Sequence, residues 1–249
     1  MPSTPLHFLD RIDRWADLCP QRVAVTCGSS QLTWRELVDR SNALAAWLEH
    51  ELMGKPGPVA VHGHKEPEML VAFLAAVKCG RPYVPMDASI PEARIEKVVS
   101  GSGAAVVLTP ASVRSILAET GGRHLPAPAR RVELEDPFYI LFTSGSTGEP
   151  KGVVITLGNL TAFTDWLLAE HSFTEQGETF LNQAPFSFDL SVMDLFGSLL
   201  TGGTLCCVTK DELANLKLLY QRFAGSGITV WVSTPSFAQM CMIEKGFRT

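Results

Sequence analysis

Phe142-Thr143-Ser144-Gly145-Ser146-Thr147-Gly148-Glu149-Pro150-Lys151-Gly152 gathers hydroxyls, glycines and one lysine into a single short run. Such a run suits a polyphosphate. Glycines let backbone N–H groups approach phosphate oxygens, Ser and Thr hydroxyls donate hydrogen bonds, and a Lys ammonium brings a point charge. The flanks decide what kind of loop this is. Residues 138–143 form an apolar strand pattern, and residues 152–156 are again rich in β-branched side chains. A Walker loop reads GxxxxGK[ST] and passes straight into a helix. Here Lys151 is followed by Gly152 and a second strand, so the run is predicted as strand–loop–strand. A plain hairpin turn also favours Ser and Gly. The number of hydroxyls, together with the lysine, points instead to phosphate.

Upstream of the run, Leu6, Leu9, Ile12 and Trp15 fall at helical spacing, with Ala16 and Cys19 on the same side. Residues 22–27 and 31–33 read as a hairpin around Gly28-Ser29-Ser30. Thr33-Trp34-Arg35-Glu36 has the form of a capping box. It opens a helix to about Leu52 with Leu37, Leu44 and Leu48 on the inner face. The chain then alternates. A strand at 58–62 precedes a helix at 66–79, closed by Gly80 in a left-handed position. An extended piece at 83–85, a helix from Pro91 and an apolar strand at 104–109 follow.

Downstream, the pattern predicts a helix at 160–171, a strand at 179–182, a helix to about Leu200 and a Gly202-Gly203 turn. A strand at 204–209, a polar helix at 211–224, a strand at 228–233 and a helical piece at 235–242 complete it. Strands alternating with helices predict an α/β fold with largely parallel sheets flanked by helices. Residues 120–136 carry Gly121-Gly122, Pro126, Pro128 and a basic cluster, and are the best linker candidate. Residues 1–249 are read as one partial domain, in which 120–136 is either a linker that subdivides it into 1–119 and 137–249 or an irregular excursion within one large domain.

Bulk composition narrows the function classes. The 249 residues are 46% hydrophobic and 19% charged, which is globular composition. A net charge of −5 argues against a general nucleic-acid surface. The N-terminus lacks a basic start before an apolar run, so no signal peptide is expected. Charged or polar residues interrupt every apolar stretch well before the roughly 18 residues of a membrane span. The six cysteines contain no CxxC pair and read as buried thiols in a reducing compartment. His62-x-His64 lacks a third ligand at useful spacing, so no metal site is predicted.

Four stretches, taken in order, resemble one family: LTWREL at 32–37, VKCGRPYVPMD at 77–87, the 142–152 run, and FSFDLSV at 186–192. Their order, spacing and wording are similar to the amino-acid adenylation domains of the adenylate-forming (AMP-binding) superfamily. Longer phrases, such as FLNQAPFSFDLSVMDLF and VWVSTPSFAQMC, narrow the likeness to ligases that load D-alanine onto a carrier protein. The likeness runs over essentially the whole chain, as the N-terminal part of the family's large domain. It implies a cytoplasmic two-step reaction. ATP and an amino-acid carboxylate give an aminoacyl adenylate and pyrophosphate. The phosphopantetheine thiol of a carrier protein then takes the acyl group, which in the D-alanine case ends on teichoic acids.

On this resemblance, Thr143, Ser144, Gly145, Ser146, Thr147 and Gly148 hold the β- and γ-phosphates of ATP, with Lys151 as an electrostatic partner. Asp189 pairs with the substrate ammonium, as the aspartate of the family's FDxS motif does, because a partly buried cation needs a carboxylate. Asp189 is also a good residue to cap the helix beginning near Leu190, and both roles can coexist. Phe186, Phe188 and Met193 read as pocket wall or plain core. The family's lysine that stabilises the adenylation transition state belongs to a C-terminal lid domain that the chain does not contain, so no catalytic residue is assigned. Its aromatic-Gly-Pro-Thr-Glu motif, whose Glu binds Mg²⁺, is also absent from these 249 residues. The expectation is an N-terminal half with little or no ligase activity alone and with exposed apolar surface. An adenylation module of nonribosomal peptide synthesis and a non-catalytic interaction module are the alternatives.

Overall fold

The computed structural model describes residues 6–120, 128, 131–144, 149–174 and 177–243. The chain opens with α1 (Phe8–Asp13) and α2 (Trp15–Leu18), the hairpin β1 (Val23–Cys27) and β2 (Ser30–Thr33), and α3 (Trp34–Glu51). Alternation follows: β3 (Val59–Gly63), α4 (Pro67–Lys78), β4 (Tyr83–Asp87), α5 (Glu92–Ser102), β5 (Val106–Leu108) and α6 (Pro110–Glu119). Next come the hairpin β6 (Pro137–Ser144) and β7 (Pro150–Thr156), then α7 (Leu157–Glu170), β8 (Thr179–Asn182), α8 (Ser191–Thr201) and β9 (Thr204–Cys207). The last elements are α9 (Lys210–Ala214), α10 (Leu216–Ser226), β10 (Val230–Val232) and α11 (Pro235–Cys241).

Two five-stranded sheets form, ordered β10-β8-β9-β1-β2 and β5-β3-β4-β6-β7. Among the described residues every pairing is parallel except the β1–β2 and β6–β7 hairpins, so the predicted α/β class with largely parallel sheets holds. Each sheet takes strands from both sides of 120–136. Of that linker candidate, 121–127 and 129–130 lie outside the described residues. Val132 is buried, and its N–H reaches the carbonyl of Val77 at 3.2 Å.

Between the sheets lies α4, which packs against β1 and β2 of one and β3 and β4 of the other. Its sequence explains this position. Nearly every residue of PEMLVAFLAAVK is buried, and a helix apolar all round belongs in a core. Phe73 of α4 stacks on Tyr83 with ring centroids 4.3 Å apart, and burying such a side chain is worth about 1.5–3 kcal/mol. The predicted capping box at α3 forms, with Glu36 N–H donating to Thr33 Oγ1 and Thr33 N–H donating to Glu36 Oε2. Gly80 takes the left-handed conformation expected of it, at φ 74°.

Three elements differ from the sequence expectation. α6 was not anticipated, although Thr109 and Ser112 form a capping box around Pro110 at its first turn. The helix predicted over 211–224 breaks at Asn215, which leaves helical geometry at φ −133° and ψ 98°. Its side-chain oxygen accepts from Lys217 N and Leu218 N, so Asn215 ends α9 and caps α10. The N-terminal helical pattern likewise divides at Arg14 into α1 and α2.

Candidate functional site

The phosphate-loop stretch is a strand–loop–strand unit. β6 and β7 pair antiparallel with Phe142 opposite Gly152, Thr143 opposite Lys151 and Ser144 opposite Pro150. Thr143 and Ser144 end β6, exposed, and Lys151 sits exposed on β7 across from them. Thr143 Oγ1 lies 3.5 Å from the Lys151 carbonyl, at the limit of a donated hydrogen bond. Gly145, Ser146, Thr147 and Gly148, the tip of the stretch, lie outside the described residues. Gly152 allows the hairpin to close. A Cβ there would stand 3.0 Å from Ile140 Cγ2 and 3.1 Å from Phe142 Cζ. Lys97 of α5 reaches Glu149 at 2.8 Å on the far shoulder, an exposed pair of little energetic weight.

Asp189 lies in the loop between β8 and α8 and is exposed. Its backbone carbonyl accepts from Val192 N at 3.0 Å. The helix cap is Leu190, and no side chain makes a cap hydrogen bond there. Asp189 therefore contributes its carbonyl to the first turn and leaves its carboxylate uncommitted among the described residues. The charge of that carboxylate is felt at Tyr139 of β6. Burial first, and the Asp189 charge second, push the Tyr139 phenol up to about 12. Tyr139 precedes Thr143 by four residues on β6, about 13 Å along a strand. The strand that feels the Asp189 charge at Tyr139 is thus the strand that ends in Thr143 and Ser144. Phe186 is core, edge-on to Phe73 at 5.5 Å, while Phe188 is exposed.

The carboxyl ends of the parallel strands carry a set of polar groups, the usual location of sites in open α/β sheets. Asp87 ends β4 and is 2% exposed, with His64 Nδ1 at 2.6 Å from Oδ2. Ser89 donates to Asp87 Oδ1 from both N and Oγ, and Lys210 Nζ stands 3.7 Å away. Burial pushes the Asp87 carboxyl up, but the hydrogen bonds from His64 and Ser89 outweigh it and hold it at about 2. Asp194 of α8 is buried and accepts from Asn182 Nδ2 at 3.0 Å and from Leu195 N at 2.8 Å. Burial dominates there and pushes its carboxyl up to about 8. Lys65, with no exposed surface, donates to the carbonyls of Asn182 at 3.0 Å and Gln183 at 2.6 Å. Burial lowers its pKa, opposed by Cys207, Asp194 and other neighbours.

Sequence reading missed Lys65, Asp87 and Asp194 as members of this region. An acid closing an apolar strand, as in Tyr83–Asp87, was the available signal for Asp87. Lys65 carries none, because its partners stand 117 and 118 residues away. Among the described residues, no three His, Cys, Asp or Glu side chains gather as a metal-holding group.

The AMP-binding enzyme family matches residues 12–249. A D-alanine–D-alanyl carrier protein ligase of Bacillus velezensis is 46% identical over 97% of this chain and 50% of its own length. A ligase of the same name from Bacillus thuringiensis is 41% identical over 97% of this chain and 51% of its own length. The chain spans about half the length of the curated relatives it matches. The Klebsiella oxytoca NpsA N-terminal subdomain in complex with 3-hydroxyanthranilyl-AMSN superposes with a TM-score of 0.74 at 27% identity. That match covers 90% of this chain and 58% of the other. The strand–loop–strand unit, the two sheets and these matches agree: the chain belongs to the AMP-binding enzyme family.

Proposed function

We propose that the chain serves the ATP-dependent activation of D-alanine as an aminoacyl adenylate in the cytoplasm, followed by transfer to the phosphopantetheine thiol of a carrier protein for teichoic acid D-alanylation. The observation that carries this reading is the Asp189 carboxylate, exposed and uncommitted among the described residues, whose charge is felt at Tyr139 on the strand that feeds the 142–152 loop. Asp189 holds the substrate ammonium through a charge-assisted hydrogen bond. Thr143, Ser144, Gly145, Ser146, Thr147, Gly148 and Lys151 receive the β- and γ-phosphates of ATP, and stabilise the charge that collects on pyrophosphate as it leaves. With both ends held, the amino-acid carboxylate is presented to the α-phosphate, and orientation supplies much of the rate. Magnesium enters with the nucleotide, as part of that substrate.

The names of the relatives support D-alanine and a carrier protein as substrates. The reading takes full activity to need the half of those ligases that this chain does not match. The chain alone is therefore expected to give little amino-acid-dependent ATP–pyrophosphate exchange. Exchange measured on a polypeptide of the relatives' length that carries this chain, across D-alanine, L-alanine and larger amino acids, tests the substrate. Dependence on D-alanine above the others is the expected result. Equal exchange with another amino acid overturns it in favour of a different adenylation module.

A further inference from the structure

We propose that Lys65 is a positioning residue, whose ammonium pins the head of the 183–190 loop and so sets the place of Asp189 relative to the phosphate hairpin. This rests on the proposed role of Asp189. Lys65 follows β3, in the sheet that also carries the β6–β7 hairpin, yet its two hydrogen bonds go to β8 and the loop after it, in the other sheet. Asp189 is carried by that loop. Lys65 thus links the sheet that bears the phosphate-binding hydroxyls to the segment that bears the ammonium partner.

The base of the lysine is held firmly. His64 N donates to Glu66 Oε2 at 2.7 Å, the His64 ring is paired with Asp87, and α4 starts two residues after Lys65. At the other end of the link, the Asn182 carbonyl already accepts from Val208 N, while the Gln183 carbonyl has Lys65 as its short partner. The side-chain carbonyl oxygens of Asn182 and Gln183 are buried without a hydrogen-bond partner among the described residues. The head of the loop is therefore short of donors, and Lys65 supplies the strongest. The tail of the loop is fixed separately by Ser191 Oγ donating to the Phe188 carbonyl at 2.7 Å. A lysine suits this task because its long stem is apolar and its head offers three donors. Any apolar residue there would leave a buried carbonyl unsatisfied.

The test uses the 249-residue chain. Amide shifts report D-alanine binding at Asp189 and ATP binding at Thr143 in separate titrations, and even weak binding is measurable this way. Lys65→Met keeps the stem and removes the donors. It should raise the dissociation constant for D-alanine by about tenfold or more while that for ATP changes by less than about twofold. Hydrogen exchange should quicken in 184–190 ahead of β6 and β7. A lysine that merely stabilises the fold would weaken both ligands alike, and that outcome overturns the proposal, as does unchanged D-alanine binding. If the wild-type chain shows no D-alanine response at Asp189, the functional reading fails and this inference fails with it. If wild type responds and Lys65→Met responds equally, only the inference fails. Should Lys65→Met not fold, Lys65→Gln, which is shorter and keeps an amide donor, carries the same comparison.

Discussion

His64 Nδ1 lies 2.6 Å from Asp87 Oδ2, joining the carboxyl ends of the neighbouring strands β3 and β4. The Asp87 pKa is held near 2, below its ordinary value of about 4. A carboxylate depressed in the folded state contributes stability above its ordinary pKa, and that contribution is lost as pH falls through the folded value. Asp87→Asn should flatten the acid limb of stability between about pH 4 and 2 and lower neutral-pH stability by roughly 1.5–3 kcal/mol. Urea unfolding at a series of pH values measures both effects.

Asp194 predicts the opposite slope. Its folded pKa, near 8, is above its unfolded value, so it contributes full stability below about pH 4 and loses it progressively as pH rises toward 8. The slope reaches at most about 1.4 kcal/mol per pH unit. Asp194→Asn, which cannot ionise, should make stability nearly independent of pH across that window. Thermal melts of wild type and variant from pH 5 to pH 8 should agree best at the acid end and diverge toward pH 8, with the variant the less sensitive of the two.

Gly152 governs the hairpin stem. In Gly152→Ala the new methyl meets Ile140 and Phe142 at close range. Both side chains must give way, at a cost of about 1 kcal/mol, near a 2–4 °C drop in melting temperature for a chain of this size. The shift is passed to Thr143 and Ser144 through the ladder, so ATP affinity should fall while D-alanine affinity holds. Paired titrations with the two ligands check this.

Much of the fold was legible from local signals. Thr33 and Glu36 announce α3, the unbroken apolar run of 69–77 announces a buried helix, and the Lys151-Gly152 sequence separates this loop from a helix-starting one. The α6 cap at Thr109 and the break at Asn215 were equally local, and their signals were present in the sequence. Other features were not legible because they join distant parts of the chain. β1 lies beside β9 with Val25 opposite Leu205, and Arg22 reaches the Gly202 carbonyl at 2.8 Å. Of the proposed site, Asp189 and the 142–152 run could be named as candidates from short motifs. The cross-sheet tie through Lys65 depends on how the two sheets meet, which no short stretch encodes.

The proposed activity depends most on Asp189 as the partner of a substrate ammonium. Equilibrium binding of D-alanine and of ATP, compared in wild type and Asp189→Ala, addresses that directly. The account predicts a 10- to 100-fold loss of D-alanine affinity, the weight of one charged hydrogen bond of about 1.5–3 kcal/mol. ATP affinity should stay within about twofold, and the melting temperature should stay close to wild type, because the side chain makes no helix-cap hydrogen bond. Equal losses for both ligands, or unchanged D-alanine binding, would contradict it.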